Sequence, residues 1–247
     1  MSQKTRLDQY LVDAGQFPSR ARARDAILRG TVSLNGSVCE KPAQKVAADA
    51  LVSVSDPASA YVSRAALKLL AGLATFGVSP RDKICLDIGA STGGFTQVLL
   101  EQGASRVHAI DVGHDQLHAS VNADPRVLRR DGLNARELTR EDLQGDAPAL
   151  LVSDVSFISL TLALPPALDL ATPGAEGIFL VKPQFEAGRD NIGKGGLVAP
   201  DVAEETSLRL RQWLSTVSGW SAGELIPSPV KGGDGNGEWL LHGRKDA

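Results

Sequence analysis

Cysteine is scarce in this chain of 247 residues, which contains only Cys39 and Cys85. Two thiols so far apart, with no companions, do not form the framework of a disulfide-stapled domain or the spacing of a zinc site. They suit a reducing compartment, and we expect both to be packing residues. His114 and His118 stand four residues apart, but no third ligand is evident, so we expect no metal.

Long apolar runs are also missing. No stretch approaches the roughly 20 apolar residues that a membrane-spanning helix needs. The opening Met-Ser-Gln-Lys-Thr-Arg leads to no apolar segment of the kind found in signal peptides. We therefore expect a cytoplasmic protein without a membrane partner. The length allows one full domain and a smaller one.

Positive charge is in slight deficit overall but is unevenly distributed. The net charge is −3, yet the first 60 residues carry eight Lys or Arg against six Asp or Glu. Four arginines of this part cluster at positions 20, 22, 24 and 29, with no acid between them before Asp25. Such a cluster repels itself unless an anion neutralises it, and this favours RNA as the partner of the N-terminal part.

A glycine-rich turn at residues 86–96, Leu-Asp-Ile-Gly-Ala-Ser-Thr-Gly-Gly-Phe-Thr, is the most informative motif. It has the pattern of a strand, a turn and a helix start, but it lacks the G-x-G-x-x-G of dinucleotide sites and the lysine of a P-loop. The next predicted strand ends at Asp111, where related folds bind ribose hydroxyls. These features predict S-adenosylmethionine, which has one ribose and no phosphate, and they place Asp131 for an adenine contact.

Two other interpretations of the turn stay open. Gly89 to Gly93 matches the G-x-S-x-G elbow of serine hydrolases, and Ser91, Asp154 and His242 follow in the corresponding order. In that fold several strands precede the elbow, whereas here the elbow would follow the first strand of its sheet. The second interpretation is a plain strand-to-helix turn without a ligand, which the acidic end of the following strand disfavours.

The N-terminal part is predicted to be a small α+β module. Ser19 is a good N-cap, and Asn35-Gly36 is typical of a type I′ hairpin turn. The patterns predict two helices, a hairpin, a strand and a linker, over residues 5–14, 20–29, 32–38, 50–54 and 56–59.

Beyond residue 60 the chain alternates between helix and strand, a pattern typical of a parallel sheet covered on both faces. A helix is predicted over residues 63–76, and two final strands, 219–226 and 238–243, are predicted to be an antiparallel pair. The parallel strands are predicted near residues 83–88, 106–111, 126–130, 149–154 and 177–182.

Four charged residues stand at positions where packing alone does not explain them. Lys68 lies in a helix that is apolar nearly all round, and Asp154 and Lys182 end two parallel strands. Glu238 begins the last strand, after a glycine-rich loop. The carboxyl ends of parallel strands form the edge at which open α/β sheets bind ligands, so these residues are candidates for catalysis.

The N-terminal module resembles the S4 RNA-binding domain. The resemblance rests on Arg6-Leu7-Asp8, Ser19-Arg20-Ala21-Arg22, Gly30, Asn35-Gly36 and Lys41-Pro42. It implies that the second helix lies against RNA phosphates. The residues expected to bind RNA in the whole chain are Arg6, Arg20, Arg22, Lys41, Arg64, Arg189 and Lys194.

The whole chain resembles the TlyA, or hemolysin A-like, family, in which an S4 domain is joined to an FtsJ-like RNA ribose methyltransferase. The resemblance rests on the motifs at residues 61–69, 87–96, 153–160, 181–186 and 235–238. It implies a class I, Rossmann-like methyltransferase sheet of α/β type, with an S4-like domain over residues 1–57 and the methyltransferase domain over residues 58–247.

The resemblance also implies a site. The FtsJ-like tetrad maps onto Lys68, Asp154, Lys182 and Glu238, and cofactor positions map onto Gly93, Phe95, Asp111, Asp131 and Asp154. The glycine turn adds Asp87, Gly89 and Ser91 to the residues expected to bind S-adenosylmethionine.

The expected activity is methylation of the ribose 2′-hydroxyl of cytidines in ribosomal RNA, by a monomer that acts on that RNA or on ribosomal subunits. Lys182 is the expected base, and the positive charge of Lys68 would favour loss of its proton. Asp154 would orient Lys182, and Glu238 would position Lys68 or the ribose. Two alternatives are an RNA-binding protein with an inactive methyltransferase domain and a membrane-active hemolysin.

Overall fold

The computed structural model describes residues 4–47 and 49–247, so Met-Ser-Gln of the opening segment lies outside the described residues. The chain divides into two compact units, the first ending at Ala60 and the second spanning Tyr61–Ala247. In the described residues no helix combines the length and the apolar character needed to cross a membrane.

The first unit packs two helices on short antiparallel strands. One sheet has the order β3-β2-β5, and β1 pairs with β4. Its core is formed by apolar residues of both helices and of β2 and β4, such as Leu11, Ile27 and Val46. The elements are β1 (Thr5–Arg6), α1 (Leu7–Asp13), α2 (Arg20–Leu28), β2 (Val32–Leu34), β3 (Ser37–Val38), β4 (Lys45–Val46), β5 (Val52–Val54) and a 3-10 turn, Pro57–Ala60.

Local sequence signals explain most of these boundaries. Ser19 caps α2, since its Oγ accepts a hydrogen bond from the backbone N–H of Arg22. Asn35 and Gly36 have φ values of 50° and 82°, so the predicted type I′ hairpin is confirmed. The first helix begins at Leu7 and not at Thr5, because Thr5 and its neighbour pair with β4.

The second unit, all of whose residues are described, is built on a seven-stranded sheet. Its elements are α3 (Ala66–Phe76), β6 (Ile84–Ile88), α4 (Gly94–Glu101), β7 (Arg106–Asp111), α5 (Ala119–Asn122), β8 (Val127–Asp131), β9 (Leu150–Ser153), α6 (Leu160–Ala163), α7 (Pro165–Leu170), β10 (Glu176–Val181), α8 (Pro200–Leu214), β11 (Trp220–Pro227) and β12 (Trp239–Lys245).

The strand order is β11-β12-β10-β9-β6-β7-β8. Strands β6 to β10 are parallel, whereas β12 runs antiparallel between β10 and β11. Side chains alternate across the sheet, so Cys85 joins the core beneath α3 and α4 while Leu86 joins the opposite core beneath α7 and α8. The predicted α/β sheet with a final antiparallel pair is therefore confirmed.

The second unit departs from the predicted elements mainly at their ends. The helix expected from residue 63 begins at Ala66, because residues 61–65 form turns, in one of which Ser63 Oγ accepts a hydrogen bond from the N–H of Ala65. Strand ends shift by one or two residues. These shifts leave the carboxyl ends of β6, β7, β9 and β10 at one edge of the sheet, as parallel pairing requires.

Candidate active site

Lys68 and Glu238 form a buried ion pair at this edge of the sheet, which we call the sealed pair. Lys68 comes from α3, and Glu238 immediately precedes β12, 170 residues later in the chain. Their side chains are only 7% and 2% exposed, and the ammonium donates directly to Glu238 Oε2. Burial raises the pKa of Glu238 above its ordinary value, while Lys68 opposes that rise.

Lys182 and Asp154 form a second, more accessible ion pair. Lys182 directly follows β10, and Asp154 directly follows β9. Lys182 Nζ lies 2.7 Å from Asp154 Oδ1, 2.7 Å from Ser156 Oγ and 3.3 Å from the backbone oxygen of Asp154. Hydrogen bonds to Ser156 Oγ and to the backbone oxygen of Asp154 thus fix the direction of this ammonium, and the Asp154 carboxylate adds an ion pair.

The four residues of the predicted tetrad are brought together. All four line one cavity of about 300 Å³, with Arg64, Ser156 and Asp234 among its other walls. The ion pair agrees with the expectation that Glu238 positions Lys68, and its carboxylate offsets part of the positive charge that Lys68 presents to Lys182. The site thus contains two ion pairs, of which Lys68–Glu238 is the more deeply buried.

A larger cavity of about 980 Å³ opens beside the first one. Asp111, at the end of β7, lies in its wall and accepts hydrogen bonds from the N–H groups of Ser91 and Gly113, at 2.8 and 2.7 Å. Val112 presents a 69% exposed apolar side chain beside this carboxylate. An acid held by the backbone next to an exposed apolar surface fits a ribose joined to a flat base.

Neighbouring residues pack so closely against the glycine turn that two of its positions have no room for a side chain. Gly89 has φ of +81°, and a Cβ there would come within 3.1 Å of the backbone of Val155. Gly93 has φ of +94°, and a Cβ there would come within 2.7 Å of Leu117. Both positions require glycine. Gly89 and Ser91 line the larger cavity.

Four of the predicted cofactor residues lie outside the lining of this cavity: Asp87, Gly93, Phe95 and Asp131. Asp87 is fully buried under the turn, where it accepts a 2.6 Å hydrogen bond from Thr96 Oγ1. Burial raises the pKa of Asp87 to about 7, against the effect of that hydrogen bond. Phe95 is 2% exposed in the core. These residues support the turn from within.

The carboxylate of Asp131 is already engaged in contacts with nearby residues. Its Oδ2 accepts a 2.7 Å hydrogen bond from the N–H of Asp115 and lies 3.0 Å from Arg129. The cavity wall on this side is formed instead by the next turn of the chain, residues 133–136. The sequence pointed to the end of this strand for a cofactor contact, but the side chains that line the cavity come two to five residues after Asp131.

The two cavities meet at shared residues. Asp154, Ser156 and Phe185 line both of them. A molecule in the larger cavity therefore contacts Asp154, whereas Lys68, Lys182 and Glu238 line the smaller cavity alone.

Glu186 braces the loops that form this junction. Its two carboxylate oxygens accept hydrogen bonds from Ser159 Oγ at 2.6 Å and from the N–H of Leu160 at 2.7 Å. The loop after Lys182 is thereby attached to the loop after Asp154. Burial raises the pKa of Glu186 above its ordinary value, and the hydrogen bond from Ser159 opposes this.

The residues predicted to bind RNA fall into separate groups. In the first unit, Arg6 and Arg20 both contact the buried carboxylate of Asp8, at 2.9 and 3.1 Å. The hydrogen bond from Arg6 lowers the pKa of Asp8 to about 2. Arg22 donates to the backbone oxygen of Ala58, and Lys41 is exposed. Asp8 thus holds two arginines side by side at the surface.

The other residues of this set lie in the second unit. Arg64 lines the cavity of the tetrad, and Arg189 and Lys194 are exposed on the loop that follows Lys182.

The alternative sites are not assembled. Ser91 Oγ lies 3.2 Å from Gln116, whereas His242 stacks on Phe76 and lies 3.7 Å from Glu176, at the start of β10. The serine and the histidine are therefore at opposite ends of the sheet, and no hydrolase triad forms. The described residues also contain no group of three His, Cys, Asp or Glu side chains arranged to hold a metal.

Three contributors were missed by sequence reasoning: Ser156, Glu186 and Asn236. Ser156 stands two residues after Asp154, and Asn236 two residues before Glu238, so proximity to a predicted site residue was the available signal. Asn236 is 3% exposed and bonds to the loop after Lys182. The partners of all three are distant in sequence, which is why the sequence alone did not reveal them.

Comparison with known protein families agrees with this architecture. Residues 61–245 match the FtsJ-like methyltransferase family, and residues 5–52 match the S4 domain.

Individual relatives match nearly the whole chain. A 16S/23S rRNA (cytidine-2′-O)-methyltransferase TlyA of Mycobacterium tuberculosis is 41% identical over 98% of this chain and 90% of its own length. Hemolysin A of Brachyspira hyodysenteriae is 40% identical over 96% of this chain and 98% of its own length. The solved structure of a candidate hemolysin from Streptococcus thermophilus superimposes with a TM-score of 0.76 at 38% identity, covering 100% of this chain and 90% of that one.

Proposed function

The chain belongs to the FtsJ-like methyltransferase family, with an S4 domain ahead of the methyltransferase domain, and on that premise we propose that it methylates ribose 2′-hydroxyls of cytidine in ribosomal RNA. S-adenosylmethionine is the proposed methyl donor. The observation that carries the proposal is the junction of the two cavities at Asp154, where a cofactor-sized space meets the lysine–carboxylate cluster.

The residues of the larger cavity fit this cofactor. Asp111 offers a carboxylate for ribose hydroxyls, and Val112 with the residues 133–136 offers a surface for the adenine. Gly89 and Ser91 line the end of the cavity at the glycine turn, which would hold the methionine part. When bound, S-adenosylmethionine supplies a methyl group that is already electrophilic.

The tetrad offers a base that can remove the proton of the ribose hydroxyl. A 2′-hydroxyl is a poor nucleophile until its proton is removed, and its oxygen must be in line with the methyl group. Lys182 is the proposed base, since it pairs with Asp154, the tetrad residue that also lines the larger cavity. Asp154 and Ser156 orient Lys182, while the Lys68–Glu238 pair lines the same smaller cavity.

RNA binding is proposed for both units. The first unit offers Arg6 and Arg20, held together by Asp8, in addition to Arg22 and Lys41. The second offers Arg64, Arg189 and Lys194. Exposed arginines and lysines of this kind contact phosphates and so position an RNA without reading its sequence.

The decisive experiment is to map ribose methylation by mass spectrometry in ribosomal RNA from cells with and without this protein, and to repeat it with purified protein and unmodified transcripts. We expect 2′-O-methylcytidine to appear only when the protein and S-adenosylmethionine are both present. Methylation on a base, or binding of RNA without methyl transfer, contradicts the proposal.

The RNA contacts have a separate test. Arg20→Ala combined with Arg22→Ala should weaken RNA binding and reduce the slope of log affinity against log salt by about one for each phosphate that the protein no longer neutralises. Cofactor binding, measured by calorimetry, is the control and should not change. An unchanged salt slope would mean that these arginines do not contact RNA.

A further inference from the structure

The loop after Lys182 ends in a compact hairpin, residues 192–198. Ile192 and Val198 form an antiparallel bridge, and the N–H of Gly193 donates to the backbone oxygen of Leu197 at 2.7 Å. The chain reverses through two glycines with φ of 76° and 80°, which directly follow Lys194. The hairpin therefore presents an exposed lysine at its turn.

The side chain of Asn236 holds this hairpin at its base. Asn236 Nδ2 donates to the backbone oxygen of Gly196 at 2.9 Å, and Oδ1 accepts from the N–H of Val198, also at 2.9 Å. One amide thus pairs with an acceptor and a donor of the hairpin, as a neighbouring strand would. The residue is 3% exposed, so losing either bond would leave buried polar groups without partners.

The backbone of Asn236 belongs to the segment that carries Glu238. Its oxygen accepts a hydrogen bond from the N–H of Gly232 at 2.9 Å, and its N–H donates to Asp234 Oδ1 at 3.1 Å. Two residues later, the carboxylate of Glu238 contacts Lys68. A single side chain therefore connects the lysine-bearing hairpin to the segment that positions the sealed pair of the tetrad.

We propose that Asn236 is a positioning residue that couples RNA contact at the 192–198 hairpin to the placement of Glu238 in the catalytic cluster. This inference rests on the proposed RNA methyltransferase activity. In this arrangement a phosphate bound at Lys194 stabilises the hairpin, and through the amide of Asn236 it stabilises the segment that holds Glu238. RNA binding and methyl transfer then depend on the same two hydrogen bonds.

Asparagine is the residue that suits this position, because its short side chain combines a donor group, Nδ2, with an acceptor, Oδ1. Aspartate has the same shape but replaces the donor with an acceptor, which would face the oxygen of Gly196. Asn236→Asp is therefore the sharpest single change. Val198→Pro breaks the same link on the hairpin, since proline lacks the N–H that donates a hydrogen bond to Asn236 Oδ1.

The experiment uses the full chain and an unmodified ribosomal RNA transcript that the parent protein methylates. RNA affinity and the single-turnover rate at saturating RNA are measured for the parent, Asn236→Asp, Lys194→Ala and the double variant. Asn191→Ala is the matched control, because it removes a 2.8 Å side-chain bond within the same loop, to the oxygen of Ala187, without touching the link. Calorimetric binding of S-adenosylhomocysteine checks that each variant is folded.

We expect Asn236→Asp to lower both RNA affinity and the saturated rate about tenfold, as loss of a buried hydrogen-bonded link of roughly 1.4 kcal/mol predicts. Lys194→Ala should weaken RNA binding in the parent but have little further effect once Asn236 is changed, because the hairpin is then no longer held. Val198→Pro should reproduce both losses, and Asn191→Ala should reproduce neither.

Two results overturn the inference. One is strict additivity of Asn236→Asp and Lys194→Ala in RNA affinity. The other is a saturated rate that is unchanged in both Asn236→Asp and Val198→Pro, or one that falls equally in Asn191→Ala. If the parent itself transfers no methyl group to the transcript, the proposed function fails instead, so the two failures are distinguishable. If Asn236→Asp does not fold, Val198→Pro decides the question alone.

Discussion

The two ion pairs of the site contain the same kinds of groups but occupy different surroundings. Lys68 and Glu238 are 7% and 2% exposed and line only the smaller cavity. Lys182 and Asp154 are 11% and 18% exposed, and Asp154 also lines the cofactor-sized cavity. This difference supports the proposed roles, in which the Lys68–Glu238 pair shapes the smaller cavity and Lys182 is the base.

The largest expected effect is on the accessible pair. Lys182→Ala should lower the single-turnover rate of methyl transfer by about 10²–10⁴-fold, the usual contribution of a general base. Lys182→Arg should be almost as slow, because a guanidinium keeps its proton. Cofactor affinity, measured by calorimetry, should stay close to that of the parent in both variants.

The parent rate should rise with pH as the base loses its proton. If Lys182→Arg retains most of the activity, Lys182 acts as a fixed positive charge, and the proposed distinction between the pairs disappears. Asp154 would then be the next candidate for the base.

Substitutions in the sealed pair should mainly lower the free energy of unfolding. Lys68→Met leaves the Glu238 carboxylate buried without a partner, which costs about 3–5 kcal/mol in the free energy of unfolding. Denaturant unfolding measures this loss. The double variant Lys68→Met with Glu238→Gln, which removes both charges, should recover most of the stability.

The loss in Lys68→Met should also depend on pH. Burial already raises the pKa of Glu238, and removal of Lys68 raises it further. A carboxyl whose pKa is higher in the folded state binds more protons there, so the variant should be less destabilised at pH 5 than at pH 8. A loss that is the same at both pH values would mean that Glu238 carries the same charge in the folded and the unfolded variant, so that folding does not raise its pKa.

A smaller effect is expected on cofactor affinity. Asp111→Ala should weaken binding of S-adenosylmethionine by about 10–100-fold, since hydrogen bonds to a charged group contribute roughly 1.5–3 kcal/mol. Glu238→Gln is the matched control, because its side chain does not line the larger cavity. Equal losses of affinity in the two variants would contradict the assignment of the larger cavity, which Glu238 does not line, as the cofactor site. The titrations should be repeated with RNA present, in case RNA orders the cavity.

The smallest effect is expected at Ser156. Its Oγ is one of two hydrogen-bond acceptors of Lys182 Nζ, so Ser156→Ala should reduce the saturated rate about tenfold, the loss of one hydrogen bond to a charged group. Ser156→Thr keeps the hydroxyl and should restore most of the rate. If alanine and threonine behave alike, the direction of the Lys182 side chain does not depend on this contact.

Much of the fold follows from short-range patterns. The alternation of strands and helices, the turn at Asn35-Gly36 and the Ser19 cap are local features, and the structure contains each of them. The meeting of Asp154 and Lys182 also follows from the sequence, because the carboxyl ends of adjacent parallel strands must lie side by side.

The rest depends on contacts that no local pattern encodes. The pairing of Lys68 with Glu238 joins residues 170 positions apart, and the brace at Glu186 joins two loops. Asp131 shows the opposite case, because its position on the strand was anticipated but its ion pair with Arg129 was not. Long-range hydrogen bonds therefore decided which residues of the correct edge face the cavities.

The place of β12 in the sheet has a consequence for synthesis of the protein. Because β12 lies between β10 and β11, a nascent chain that has emerged only as far as residue 227 has an incomplete sheet and a Lys68 without its carboxylate. The catalytic cluster therefore becomes complete only when β12 leaves the ribosome and inserts. The order of synthesis therefore makes the Lys68–Glu238 contact one of the last long-range contacts of the fold to form.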